Sequence, residues 1–371
     1  MIAEQSIREA LRAVIDPEIR RSVVELEMVR DVDVRGDHVD VTIALTVAGC
    51  PMKSDLEGQV RHHVGAVDGV ASVGVSFDVM SAQEKTALRQ RLQPGGNGGD
   101  KKEISLSART RVIALASGKG GVGKSTLSVN LAAALAAGGA EVGVVDADIY
   151  GYSIPRMLGV SRRPVVVEKM IIPPVAHNLR VMSIGFFLDS EQAVVWRGPM
   201  LHRALEQFLT DVHWGELDYL VVDMPPGTGD VAISLGQLLP EPDLLVVTTP
   251  QPAAQRVAAR TADVAEKTGM RVAGVVENMS FARCPCCGEV SHPFGSGGGQ
   301  ALAEELGVPL LAEIPLDEPL RVSADGGTPL VVSAPDSDSA QAVVALAESL
   351  PGALRPRSGA ERISRRLGVL S

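Results

Sequence analysis

The chain has 371 residues, enough for two or three domains and for a core that needs no disulfide staples. Lys and Arg number 35 against 45 Asp and Glu, a net charge of −10, and aromatic residues make up only 3%. That balance argues against a broad nucleic-acid footprint and against a stacking platform for single strands, so no nucleic-acid partner is expected.

The N-terminal stretch MIAEQSIREALRAVI carries acids and lacks a basic n-region, so no secretory signal is expected. No apolar run approaches the length of a membrane span, and the chain reads as cytoplasmic, without stable membrane association. Ile7, Leu11 and Ile15 recur at helical spacing and predict a helix over 4–14. Alternating runs over 29–36 and 38–47 flank Arg35-Gly36-Asp37, the pattern of a hairpin. A helix over 52–65 and a strand over 71–78 complete a small α/β domain at 1–91. Cys50 falls between strand and helix, with Pro51 at the first helical position. A helix N-terminus lowers a thiol's pKa, which makes Cys50 a candidate transfer thiol; the same place suits a small buried residue at a tight turn. Residues 92–104, containing LQPGGNGGDKK, predict a flexible linker.

Beyond the linker, strand and helix patterns alternate. Runs rich in Val, Ile and Leu at 111–117, 141–148, 217–224, 243–250 and 271–278 read as strands buried on both faces. Helical patterns at 125–137, 251–268 and 299–306 separate several of them. The expectation is a doubly wound, mainly parallel α/β domain over 105–350, with ligands at the C-terminal strand ends. A basic tail, 351–371, follows.

Gly118-Lys119-Gly120-Gly121-Val122-Gly123-Lys124-Ser125-Thr126 satisfies the phosphate-loop pattern G-x-x-x-x-G-K-[ST] and lies between a predicted strand and helix. The glycines let backbone N–H groups wrap phosphates at a helix N-terminus. Lys124 is expected to neutralise β/γ-phosphate charge and Ser125 to hold Mg²⁺, with ATP as the nucleotide. Asp223 ends the apolar strand LDYLVVD, as a Walker B aspartate would. Asp146 and Asp148 end VVDAD, where a carboxylate can hold a metal's water shell or orient an attacking water.

Cys284 and Cys287 form C-x-x-C in Cys284-Pro285-Cys286-Cys287-Gly288, and thiolates suit zinc or iron–sulfur clusters. A closed site needs four ligands. Either a second subunit supplies the other pair, or Cys286 and His292 complete a local Cys₃His set, or the pair is a catalytic dithiol.

Through SGKGGVGKST, DADIYG and VVDMPPGTGD, the chain resembles the deviant Walker A ATPases of the MinD/ParA class. The resemblance implies that Lys119 reaches across a nucleotide-sandwich homodimer to the partner's phosphates. It also implies that Asp148 orients the water and that Asn278 of VVENMS contacts adenine. Together with DADIYGYSIP and C-P-x-C-G read through Cys284 and Cys287, residues 105–350 resemble the Mrp/ApbC-type iron–sulfur cluster carrier ATPases. Cys286 stands at that motif's variable place. In the N-terminal segment, DPEIRRSVVELEMVRDVDV and LTVAGCPMK resemble the small iron–sulfur-assembly domain often fused ahead of this ATPase. The resemblance implies an ATPase that carries a cluster, expected as [4Fe–4S], between donors and apoprotein recipients. A MinD/ParA-type positioning ATPase and a zinc-stabilised nucleotide-dependent adaptor are the alternative readings.

Overall fold

The computed structural model describes residues 2–47, 52–92, 104–148, 151–187, 198–227 and 230–355. They form two compact units, Met1–Lys101 with Pro164–Pro173, and Lys102–Arg163 with Pro174–Ser371.

In the first unit, helix α1 (Glu4–Ala10) tightens into a 3₁₀ turn at Leu11–Ala13, and Ile7 and Leu11 point into the core. Strands β1 (Val29–Arg35) and β2 (His38–Leu45) form the expected hairpin, Arg35 opposite His38, with Gly36 at φ 67°. The left-handed backbone suits glycine. Alternation in β2 buries Val39, Val41 and Ile43 on one face. Helix α2 (Lys53–Gly65) places Leu56, Val60 and Val64 one turn apart in that core. Strand β3 (Ser72–Val79) pairs parallel with β2, and α3 (Ala82–Leu92) follows. Leu92 was expected in the linker but closes α3 with its side chain in the core. The rest of that predicted linker, 93–103, lies outside the described residues, as does the tail from 356 onward.

The second unit opens with β4 (Arg111–Ser117), α4 (Lys124–Ala137) and β5 (Val142–Asp146), followed by the short α5 (Ile154–Met157). Next in the chain are strands β6 (Val165–Val167) and β7 (Met170–Ile172), which belong to the first unit, and then, back in the second, β8 (Val175–Ala176) and β9 (Leu179–Ser183). After α6 (Gly198–Thr210) come β10 (Tyr219–Asp223), α7 (Asp230–Leu238), β11 (Asp243–Thr248), α8 (Pro252–Lys267) and β12 (Arg271–Asn278). Strands β13 (Ala282–Arg283) and β14 (Val290–Ser291) form a small antiparallel hairpin. The unit closes with α9 (Gly298–Leu306), β15 (Leu310–Ile314), α10 (Glu318–Gly326), α11 (Leu330–Ser333) and α12 (Asp338–Ala353).

Eight strands make one sheet in the order β15-β12-β11-β4-β10-β5-β9-β8, parallel except for β8. All five expected strands lie in it. Strands β9 and β15 extend it, although a buried Arg180 and a Glu313 break their apolar runs. Arg180 is accommodated by Glu141 at 2.7 Å. Strand β5 stops at Asp146, two residues before the expected end. The Asp146 carboxylate accepts from the Asp148 amide at 3.2 Å, a local bond that competes with ladder pairing. At the other end, α12 runs past Pro351, Leu354 is buried, and the Arg355 amide donates to Asp243 at 2.9 Å. The folded unit therefore reaches into the segment read as tail.

Residues 164–173 had no such assignment in the sequence. Val167, Met170 and Ile172 are buried in the core of the first unit, and Glu168 accepts from Thr86 and from Arg89 on α3, the latter at 3.1 Å.

Candidate functional site

The loop between β4 and α4 wraps the N-terminus of a helix whose first residue is Lys124. Gly123 takes φ 83°, and a Cβ there would also stand 2.1 Å from the Asn278 amide nitrogen. At Gly118 a Cβ would meet the α8 backbone at Ala258 N, 2.4 Å away. Glycine is thus required both by conformation and by close approach. The carbonyl of Val122 faces inward to accept from Asn278 at 2.8 Å, and Ser117 Oγ donates to the Lys119 carbonyl at 3.0 Å.

Asp223, at the end of β10, is buried and collects the polar side chains of α4. Ser125 Oγ donates to Oδ2 at 2.6 Å, and Ser128 Oγ stands 2.7 Å from Oδ1. Lys124 Nζ lies 2.8 Å from the same Oδ1. That approach is an ion pair out of line for a hydrogen bond, so the buried ammonium has Coulomb attraction but no acceptor. A buried ammonium whose N–H groups are not committed to that carboxylate, set among backbone N–H groups, is a receptor for phosphate oxygen. The Ser125 hydroxyl and the Asp223 carboxylate are hard oxygen donors, the set that Mg²⁺ takes.

Asp146 lies opposite Asp223 in the β5–β10 register. Burial first, and then repulsion from Asp223, push its pKa up to about 7. Bonds from Ser183 Oγ (3.1 Å) and from the Ile154 and Asp148 amides (3.2 Å each) oppose that shift. Asp148 sits beyond the strand, where its Oδ1 accepts from the Gly151 amide at 3.0 Å. Lys119 Nζ donates to Gln251 Oε1 at 3.1 Å, within its own chain. Asn278 is buried, and its amide nitrogen is spent on the phosphate loop rather than presented to a base. Gly120 and Gly121 are exposed along the loop, and Thr126 accepts from Asn130 at 2.9 Å. Sequence reasoning missed Ser128, Ser183 and Gln251. Ser128, four residues after Lys124, carried a helical-spacing signal; the other two are brought in by distant strands.

The three cysteines crown the β13–β14 hairpin, which Gly288 closes at φ 74° with its amide donating to the Cys284 carbonyl at 2.9 Å. Cys286 and Cys287 are exposed and Cys284 is half-buried. The backbone amides of Cys287 and then Cys286 donate to the Cys284 sulfur and hold its pKa below the ordinary thiol value. Among the described residues no three or more His, Cys, Asp or Glu side chains converge to hold a metal ion. The local Cys₃His set is therefore not assembled. His292 instead gives its Nδ1–H to the Ser280 carbonyl at 3.0 Å. Cys50 and Pro51 lie outside the described residues; α2 begins at Lys53 with Met52 as its N-cap.

A family model described as NUBPL iron-transfer P-loop NTPase matches residues 108–351, and one described as iron-sulfur cluster assembly protein matches 4–77. The chain is 51% identical to the iron-sulfur cluster carrier protein of Mycobacterium tuberculosis H37Rv, over 95% of this chain and 94% of that one. It is 41% identical to that of Synechocystis, over 95% and 98% respectively. A nucleotide-binding protein from Archaeoglobus fulgidus, solved in complex with ADP, superposes with a TM-score of 0.54 at 37% identity, covering 62% of this chain and 89% of that one. No helix among the described residues is long and apolar enough to cross a membrane.

Proposed function

The chain belongs to the NUBPL iron-transfer P-loop NTPase family, and on that premise we propose that it is an ATP-hydrolysing carrier holding one iron–sulfur cluster between two copies of itself. The observation that carries this reading is the exposed Cys284–Cys287 turn, its thiol acidified by backbone amides, in the same folded unit as a complete phosphate loop.

The residues divide the work. Backbone amides over Gly118–Thr126 and the α4 N-terminus receive the phosphates, and the Lys124 ammonium turns from its ion pair with Asp223 to their oxygens. Mg²⁺, held by Ser125 and by Asp223 through its shell, supplies charge neutralisation on the β/γ-phosphates. Asp148 orients the attacking water, and Lys119 exchanges Gln251 for a phosphate of the partner subunit, adding a second cation as charge spreads on the transferring group. Asn278 reaches adenine only if it leaves Val122.

One chain offers two thiolates in C-x-x-C, and a [4Fe–4S] cluster takes four, so Cys284 and Cys287 from each of two copies form the set. The cluster is the cargo, received from a donor and passed to apoproteins. Cys50 serves handoff: Cys50→Ala is expected to keep hydrolysis and loading while slowing transfer to an apoprotein.

The test is anaerobic reconstitution of the full chain with ferrous iron and sulfide, with iron, sulfide and zinc counted per dimer by native mass spectrometry. One cluster per dimer is expected, absent from the Cys284→Ala/Cys287→Ala variant. A cluster on a confirmed monomer, unchanged loading in the variant, or zinc in place of iron overturns the reading.

A further inference from the structure

Four residues around the end of β12, Glu277 to Ser280, touch both halves of this site. Asn278 donates to the phosphate-loop carbonyl of Val122, and Gly123 leaves its amide room. Two residues on, the Ser280 carbonyl accepts from His292 Nδ1, on the segment just beyond β14 of the cysteine hairpin. Between them Met279 takes φ 60°, a left-handed backbone that a side-chain-bearing residue adopts at a cost. The surroundings hold that kink in place. The Ser280 amide donates to Ile314 on β15 at 3.0 Å, and its hydroxyl donates to the Glu277 carbonyl at 3.0 Å. Beside it the buried Glu277 accepts from the Gly299 amide on α9, where the chain leaves the cysteine segment. Its other carboxylate oxygen has no partner among the described residues.

We infer that His292 is a positioning residue: its bond to the Ser280 carbonyl forms, with Met279 and Asn278, a strut that transmits the state of the phosphate loop to the Cys284–Cys287 turn. The inference rests on the carrier reading. Phosphate taken up by the N–H groups of the loop re-sets the peptide that carries the Val122 carbonyl and with it Asn278, and the left-handed Met279 backbone, unfavourable for a residue with a side chain, is the point that absorbs the movement. That shift reaches the thiol hairpin through the Ser280 carbonyl. Because a carbonyl only accepts, the His292 proton is on Nδ1, leaving Nε2 outside the strut. Coupling between sites is reciprocal and worth a factor of about 5 or more where it operates.

The experiment uses full-length dimer reconstituted with ferrous iron and sulfide. Cluster loss to a ferrous chelator is followed by visible absorption, with and without Mg²⁺ and a non-hydrolysable ATP analogue. In the parent the analogue is expected to change the rate by about 5-fold or more. In His292→Ala the ratio falls to about one with iron per dimer unchanged. His292→Asn, whose amide nitrogen stands where Nδ1 stood, restores the parent's ratio, whereas His292→Gln, which places its nitrogen near Nε2, does not. A parent that takes up no iron and sulfide overturns the carrier reading. A parent that loads but shows no nucleotide effect, or a His292→Ala protein that keeps the parent's ratio, overturns the strut alone. Loss of loading in His292→Ala with rescue by His292→Gln makes Nε2 an iron ligand and likewise overturns it.

Discussion

The phosphate loop and the cysteine turn lie in one unit and are built on opposite principles. Around Asp223 the acid pair, the lysine and Ser128 are buried, and with the half-buried Ser125 they pack closely before any ligand is present. At Cys284–Cys287 the thiols stand at the surface, steadied only by the amides and side chains of their own turn. A site for a diffusing nucleotide gains from preorganised charge, since its dipoles need no rearrangement when phosphate arrives. A site for cargo must also let go, and ligands left in solvent on a separate hairpin can be approached by a second copy or by a recipient. Burial serves one chemistry and exposure the other.

That contrast sets the size of each expected effect. Removing both thiols in Cys284→Ala/Cys287→Ala is expected to abolish loading outright while changing unfolding free energy by no more than about 0.5 kcal/mol, because exposed positions carry little stability. Denaturant melts beside iron analysis check both halves, and a strongly destabilised variant would break the comparison. Lys124→Ala is expected to reduce hydrolysis by about 10²–10³-fold, the loss of one preorganised charge donor, with loading intact. Undiminished turnover in the purified variant would remove Lys124 from the phosphate site.

The buried acid pair predicts a pH effect between pH 5 and pH 7. Asp146 has its folded pKa raised to about 7, above the unfolded value near 3.8, so the folded state binds the extra proton. Its contribution is fully present below the unfolded pKa and is lost as pH rises through about 7. Nucleotide-free protein is therefore expected to lose stability from pH 5 to pH 7, on the order of 1 kcal/mol per pH unit, relative to Asp146→Asn. Parallel melting curves at the two pH values, with no difference in slope, would contradict the assignment. Ile172→Val, in the β6–β7 segment, calibrates ordinary core burial and is expected to cost about 1 kcal/mol. A neutral result would mean that this segment does not share the first unit's core.

How far the site could be read from the sequence follows the same division. The phosphate loop was legible because its chemistry is local: one strand end, four glycines at fixed spacing and one helix N-terminus bring the donors together within nine consecutive residues. The C-x-x-C turn was legible for the same reason. Asp146 and Asp223 were legible as strand-end acids, but their pairing was not, since it depends on β5 and β10 being neighbours in the sheet. The Cys₃His alternative also needed structure to decide it, because only the fold shows that no three His, Cys, Asp or Glu side chains converge there among the described residues.

By itself the sequence determined the parallel α/β class, the nucleotide loop, the thiol pair and the family, all of which rest on apolar periodicity or on contiguous motifs. Only the tertiary structure decided that Lys124 is buried without a hydrogen-bond acceptor, that Asn278 clamps Val122, and that Lys119 rests on Gln251. It alone assigned residues 164–173 to the first unit's core. The reason is range. A hydrogen bond spanning 156 residues, from Asn278 to Val122, leaves no spacing in the chain, and a side chain's partner is chosen by which strands the sheet has set side by side.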